Sequence, residues 1–351
     1  QVNALAVHPA IADTVYAAVA PVNIYDSGPS TIYKTTNGAA SWTPVYTAVH
    51  QVYALGVTGT HVYAGAFNRY GEGPSIYASH NSGATWTPVF SFTGRGVWLD
   101  MAVHPADPDA AIAGGWVRPE GTGEDQGVAY GTGDGGLTWS PLLTVTVPGQ
   151  DSAVSAVLIH PFTPTLVLAA AHLGDSSDGV IYRSEDSGAT WPVSFTLPGA
   201  HAMSLAAHSG DPQMLYAGTG GNPQGSTWGP SKVFRSSDAG LTWVEVSSDT
   251  GGLLAFEPPG TVYAGPAPLW ASASDGDPGT WALVQDFAPG PQISTDIDVG
   301  SSPVALFRGG AFSGVSKSTN GGVDWTGADD GIETLVIPVD IAVDPQNVDK
   351  L

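Results

Sequence analysis

Ser236-Ser237-Asp238-Ala239-Gly240-Leu241-Thr242-Trp243 is one copy of a frame that runs through the whole chain. The frame reads Ser or Thr, any residue, Asp or Asn, any residue, Gly, any residue, Thr or Asp, then Trp. It recurs at Ser79 to Trp86, Thr132 to Trp139, Ser184 to Trp191 and Ser318 to Trp325. Two looser copies fill the gaps. Thr35 to Trp42 carries Ala39 where Gly is expected, and a lengthened copy ends Asp275-Gly276-Asp277-Pro278-Gly279-Thr280-Trp281. The tryptophans follow one another at intervals of 44, 53, 52, 52, 38 and 44 residues. A period of that size marks a repeat architecture, in which each unit buries its apolar faces only by stacking on its neighbours.

Each interval holds further short apolar or alternating runs, such as Val15 to Val19, Leu99 to Pro105, Val180 to Ser184 and Met214 to Gly218. They read as strands A, B and C, with strand D starting at the Trp after the Asp/Gly turn. Four strands per unit predict an all-β fold: a seven-bladed β-propeller of four-stranded antiparallel blades, with the repeated turn between strands C and D. The blades are expected at about 1–48, 49–94, 95–148, 149–198, 199–249, 250–288 and 289–333. Residues 334–351 begin another A-like strand. They are expected either to close the ring or to start a further blade or domain, the second being favoured.

Composition agrees with a turn-rich globule. The chain has 351 residues, of which 46 are Gly and 28 Pro, too many for a helical protein. Its 11 Trp, 12 Tyr and 10 Phe supply a large core. The 32 acidic against 10 basic residues, a net charge of −22, argue against nucleic acid as partner. With no Cys, disulfides, thiolate metal sites and a Cys nucleophile are excluded. No apolar run approaches a membrane span, so no membrane insertion is expected, and any export signal would lie outside the sequence given. The His-Pro pairs at His8, His104 and His160 recur once per unit, which points to a turn role and away from a metal site.

The frame resembles the Asp-box, or BNR repeat, of sialidases, sortilin-type receptors and the two-propeller xyloglucan-degrading glycosidases. The resemblance covers essentially the whole chain. It implies structural roles for Asn37, Asn81, Asp134, Asp186, Asp238, Asp275 and Asn320, because a short carboxylate or amide can hold the turn's N–H groups while Gly takes positive φ. It does not extend to a sialidase, whose Arg triad and Phe/Tyr-Arg-Ile-Pro motif are missing. Two of the six Arg, Arg183 and Arg235, occupy the strand C position of Lys34 and Lys317. A photosystem-assembly-type factor would be expected to show a basic patch, and this chain has four Lys. The xyloglucanase resemblance implies acidic catalysis in a cleft between two propellers, of which one is present here.

Function is expected at the end of the blades opposite the repeated turns, where the B-to-C loops vary. The ligand-binding candidates are Tyr25, Arg69, Tyr70, Trp116, Arg118, Glu124, Asn222 and Trp228: aromatic planes for sugar C–H faces, with polar groups for hydroxyls. Catalytic candidates for a glycosidase are Asp100 with Glu124 or Asp125, since hydrolysis needs two carboxylates flanking the scissile bond. Asp296 and Asp298 share a strand face and are candidates for a weak Ca²⁺ site. No cofactor is expected. The reading favoured by the sequence is an extracellular or cell-surface module that binds glycans or protein partners, part of a longer surface protein. The alternative is a xyloglucanase-like glycoside hydrolase that needs a further domain.

Overall fold

The computed structural model describes residues 1–11, 13–20, 28–68, 75–174, 178–197, 200–220, 231–248, 250–257, 260–265, 268–285, 294–301, 304–310 and 314–332. Every named element is a strand. The first sheet holds β1 (Val2–Val7), β2 (Val15–Val19), β3 (Ser30–Thr35) and β4 (Thr43–Ala48). Next come β5 (Val52–Thr58), β6 (His61–Asn68), β7 (Ile76–Ser79), β8 (Thr87–Phe90), β9 (Arg95–Val103), β10 (Ala111–Arg118), β11 (Gln126–Thr132) and β12 (Ser140–Val145). The chain continues with β13 (Ser152–Ile159), β14 (Val167–Leu173), β15 (Gly179–Ser184), β16 (Val193–Leu197), β17 (Ala202–Ala207), β18 (Leu215–Thr219), β19 (Lys232–Ser236) and β20 (Val244–Ser247). It ends with β21 (Leu253–Glu257), β22 (Thr261–Gly265), β23 (Leu269–Ser272), β24 (Ala282–Gln285), β25 (Ser294–Ser301), β26 (Val304–Gly310), β27 (Gly314–Ser318) and β28 (Thr326–Gly327).

Consecutive strands pair antiparallel into five separate four-stranded sheets and one eight-stranded sheet. This corrects the expectation of seven separate blades. Strands β5–β8 and β9–β12 are joined because β6 outruns the four-residue β7, and its end pairs with β9 at Phe67↔Val97 and Asn68↔Gly96. On its other edge Gly96 lets β9 lie close to β10: a Cβ there would lie 2.5 Å from the Trp116 carbonyl oxygen.

Radial position explains the strand sequences. The first strands of successive units lie against one another, and β25 returns to β1, so the array closes on itself. Second strands such as Val15–Val19 are covered on both faces and read as unbroken apolar runs, whereas outer strands such as Thr43–Ala48 are largely exposed. Small residues at the sheet centres, Ala17, Ala64, Ala113, Ala169, Ala217 and Ala264, let neighbouring sheets approach. The core is accordingly divided among the inter-sheet seams. Closure buries Val2, Leu5, Val15 and Trp42 against Ala305, Phe307 and Val315. The Trp42 indole N–H donates to the Ala328 carbonyl at 2.6 Å across that last seam. Residues 334–351 lie outside the described residues.

The repeated turn has one hydrogen-bond frame. At Asn37, Asn81, Asp134, Asp186, Asp238 and Asn320, Oδ1 accepts the hydroxyl two residues before and the backbone N–H four residues after, the latter at 2.8–3.0 Å. The same hydroxyl accepts the N–H at the Gly position, as from Gly240 at 2.8 Å. Two successive residues take positive φ, Ala239 at 55° and Gly240 at 84° in the fifth unit. The expectation for Asp275 is corrected. In the lengthened turn Ser274 holds the Asp register, its N–H donating to Ser272 Oγ, while Asp275 sits one residue on at φ 52°. Counted from Ser272 the Asp place is taken by Ser274 and the extra residues follow Gly276, so the Asp275 carboxylate lies outside the frame and meets His208 Nε2 at 3.1 Å.

Candidate functional site

Two ends of the array differ in chemistry. At the end with the repeated turns, side chains serve the fold. Lys34, Arg183, Arg235 and Lys317 each donate to a carbonyl of the next unit's turn, at Ser82, Ala239, Asp275 and Gly38, all at 2.8 Å. Tyr16, Tyr63 and Tyr216 add bonds to Ser82, Pro108 and Asp275 carbonyls. The His-Pro histidines are turn caps: Nδ1 of His104 accepts the N–H groups of Ala106 and Asp107, and Nδ1 of His160 those of Phe162 and Thr163. Among the described residues, no group of three His, Cys, Asp or Glu is placed to hold a metal ion. The side chains of Asp296 and Asp298 lie outside the described residues, although Asp296, like Asp100, directly follows the bulge of its strand.

At the opposite end, around β5, β6, β9 and β10, an aromatic and charged surface forms. Trp116 is half-buried, packs edge-on to Phe67 at 6.1 Å, and has the exposed Arg95 guanidinium 6.0 Å from its ring centre. Tyr53 packs on Phe67 at 6.5 Å, and its hydroxyl donates to Gln51 at 2.6 Å. Beside these, Arg118 donates through Nε to Asp125 at 2.5 Å and through its terminal nitrogen to Asp151 at 3.0 Å. Asp151 also accepts the Asp125 backbone N–H at 2.6 Å. The Asp125 hydrogen bond holds the Arg118 pKa above its ordinary value. Farther round, His172 and the buried His201 stack at 5.0 Å, and burial pushes His172 down to about 4, with His201 adding to the shift.

Several sequence expectations change here. Trp116 and Arg118 are not loop residues: β10 continues through Arg118, paired with β9 and β11, and the loop shrinks to residues 119–125. They stand two apart on one strand and so share a face. Glu124 is exposed in that loop. Tyr25, Arg69, Tyr70, Asn222 and Trp228 lie outside the described residues. The residues that complete the surface, Tyr53, Phe67, Arg95 and Asp151, sit on strand ends or in short connections. Sequence reading passed over them because it looked for function in the long loops; the apolar run His61–Asn68, ending in an aromatic and an amide, was the available signal.

Two of the catalytic candidates, Asp100 and Asp125, stand apart along the blade. Asp100 pairs with Gly114, whereas Asp125 lies level with Arg118, four residues along β10. At about 3.3 Å per residue the two backbones are roughly 13 Å apart along the strand. Asp100 is committed to the fold as well. Its two oxygens accept the Met101 N–H at 2.7 Å and the Val157 N–H of the next sheet at 2.9 Å. Burial raises its pKa, and those two bonds oppose the rise.

A second concavity lies at the outer edge, between the fifth and sixth units. Its volume is about 280 Å³, and Glu245, Val246, Ser247, Ser248, Trp270, Gly279 and Trp281 line it.

No protein-family model matches the chain. A xyloglucanase from Paenibacillus sp is 30% identical over 220 residues, covering 58% of this chain and 19% of that protein. The structure of an ancestral GH74 enzyme superposes with a TM-score of 0.67 at 16% identity, over 93% of this chain and 46% of the enzyme. YCF48 bound to D1 peptide gives 0.58 at 15% identity, covering 88% of each chain. YCF48 from Cyanidioschyzon merolae gives 0.57 at 13%, over 90% of this chain and 93% of that one. The chain thus spans about a fifth of the curated relative and just under half of the ancestral enzyme. At these identities the solved structures establish the fold alone: an all-β propeller with four-stranded antiparallel blades, whose neighbours include GH74 enzymes and YCF48.

Proposed function

We propose that this chain is one propeller of a glycoside hydrolase of the xyloglucanase type, and that its Trp116 end faces a neutral β-glucan. The observation that carries the proposal is the 30% identity over 220 residues to the Paenibacillus xyloglucanase. It favours the glycosidase alternative over the free-standing binding module that the sequence alone put first. The chemistry of the surface supports the same reading. Trp116, Phe67 and Tyr53 offer apolar ring planes, and Arg95 and Asp151 offer exposed polar groups at their rim. With Asp125 held by Arg118 and Asp100 held by two backbone N–H groups, this propeller supplies substrate binding, and the catalytic carboxylates need a contribution from a further domain.

The finer architecture belongs to the same proposal. The six hydrogen-bonded turns support an Asp-box reading, and the two halves of the eight-stranded sheet act as separate blades, which makes seven around the ring. Export to the cell surface or beyond follows from a polymeric substrate that cannot enter cells. The YCF48 likeness is one of fold, and the chain carries 10 basic against 32 acidic residues.

The test is affinity electrophoresis of the chain in xyloglucan and in mixed-linkage β-glucan, with hydrolysis followed by reducing-end release. Retardation by xyloglucan that Trp116→Ala weakens at least fivefold, without hydrolysis by the isolated chain, is the expected result. No retardation by either polysaccharide overturns the proposal.

A further inference from the structure

The joined sheet brings residues of three strands onto one face. Phe67 on β6 lies opposite Val97 on β9, and Val97 lies opposite Trp116 on β10. Two residues farther along, Arg95 lies opposite Arg118, so both guanidinium groups leave the sheet on the face of Trp116. Like charges set directly opposite on paired strands destabilise a sheet. This chain has 10 basic residues in 351, and two of them face each other at one strand end. The fold gives no reason for that cost.

The two arginines differ in their partners. Arg118 is held by Asp125 and Asp151. The other described basic side chains are engaged too: Lys34, Arg183, Arg235 and Lys317 donate to turn carbonyls, Lys232 donates to Glu245, and Arg308 is buried with its guanidinium 4.9 Å from the Trp325 ring centre. Arg95 alone, among the described residues, has an aromatic ring beside it and no acceptor. Its guanidinium is exposed, 6.0 Å from the Trp116 ring centre, and its N–H donors form a fork that matches a carboxylate. The surroundings limit how much negative charge can approach. Asp125 and Asp151 lie beside Arg118, Glu124 is exposed in the following loop, and the chain carries a net charge of −22. That field repels a ligand dense in negative charge. A single carboxylate among neutral sugar rings is the anion that one free guanidinium can pair with there.

We propose that the Arg95 guanidinium binds the carboxylate of a uronic acid unit carried as a side group on the β-glucan, while the neutral backbone rings lie along Trp116 and Phe67. The inference rests on the glycan reading above and narrows its substrate class to a β-glucan with sparse acidic substituents. Arg95 then separates acid-bearing from neutral chains, a selection that neither aromatic ring can make.

The test is calorimetric titration of the intact chain with xyloglucan and with xyloglucan in which a minority of the side-chain galactose units has been oxidised at C6 to galacturonate. At low salt the oxidised polymer should bind about fivefold more tightly or better, and high salt should shrink that advantage. Arg95→Gln should erase the preference. Arg95→Lys, which keeps the charge and loses the fork, should retain only part of it. Equal affinity of the wild-type protein for the two polymers overturns the inference and leaves the glycan reading standing, whereas binding of neither overturns both. A preference that survives Arg95→Gln in a protein folded by circular dichroism also overturns it. The wild-type comparison decides the matter even if a variant does not fold.

Discussion

Lowering the pH from 7 to 5 should destabilise the protein through His172, and His172→Phe should remove that part of the response. His172 lies on β14, its ring stacked on His201 at 5.0 Å with an interplanar angle of 15°. Burial disfavours the imidazolium, the neighbouring His201 disfavours it further, and Asp151 offsets only part, leaving a pKa of about 4. In the unfolded chain the ring has a pKa of about 6.5. The unfolded state therefore takes up a proton that the folded state refuses. The stabilisation is complete above pH 6.5 and is lost as the pH falls toward 4. Between pH 7 and pH 5 this linkage amounts to about 2 kcal/mol at 1.36 kcal/mol per pKa unit. His61 and His160 are also shifted down, chiefly by burial, and add to the wild-type response in the same window. The quantity to measure is therefore the difference between wild type and His172→Phe in urea unfolding at the two pH values. A phenylalanine keeps a planar ring against His201 and cannot titrate. Equal pH sensitivity in both proteins, or an NMR titration midpoint near 6.5 for His172, would refute the reasoning.

Asp238→Ala should cost about 1–2 kcal/mol in a denaturant melt, because it removes the acceptor of the Thr242 N–H at 2.8 Å and of the Thr242 and Ser236 hydroxyls, with water replacing part of the loss. Gly240→Ala should cost about 1–3 kcal/mol: φ is +84°, and a Cβ would press to 3.1 Å on Leu168 and 3.3 Å on Leu215. The Asp186 carboxylate, held down to about 2 mainly by the Thr190 hydroxyl, contributes stability above pH 4 that is lost as the pH falls toward 2; Asp186→Asn should flatten the acid limb of a pH-dependent thermal melt. Trp98, with 0% of its surface exposed between Ser75, Phe90 and Tyr130, should cost about 3–5 kcal/mol when cut to Ala, read by calorimetry.

The repeat was legible because its residues answer to local rules. A short acceptor two residues after a hydroxyl, followed by a residue that tolerates positive φ, makes the same turn wherever it stands, and Asn37, Asp134 and Asp238 make it. The sequence by itself therefore determined the four-strand unit, its turn chemistry, and which strands are apolar throughout. It also displayed the matching bases Lys34, Arg183, Arg235 and Lys317 without disclosing their purpose. Only the tertiary structure decided that each one fastens its unit to the next, with Lys317 closing the circle at Gly38, 279 residues away. The same holds for the joined sheet at Phe67 and Val97, for Arg118 tying down Asp125, and for the drift of Asp275 to His208. These are contacts between units, and a residue's partner across a seam depends on how two sheets are set against each other, which no local rule encodes. The Trp116 surface belongs to this second class: Trp116 meets Phe67 and Arg95 only because separate strands end at one rim of the propeller.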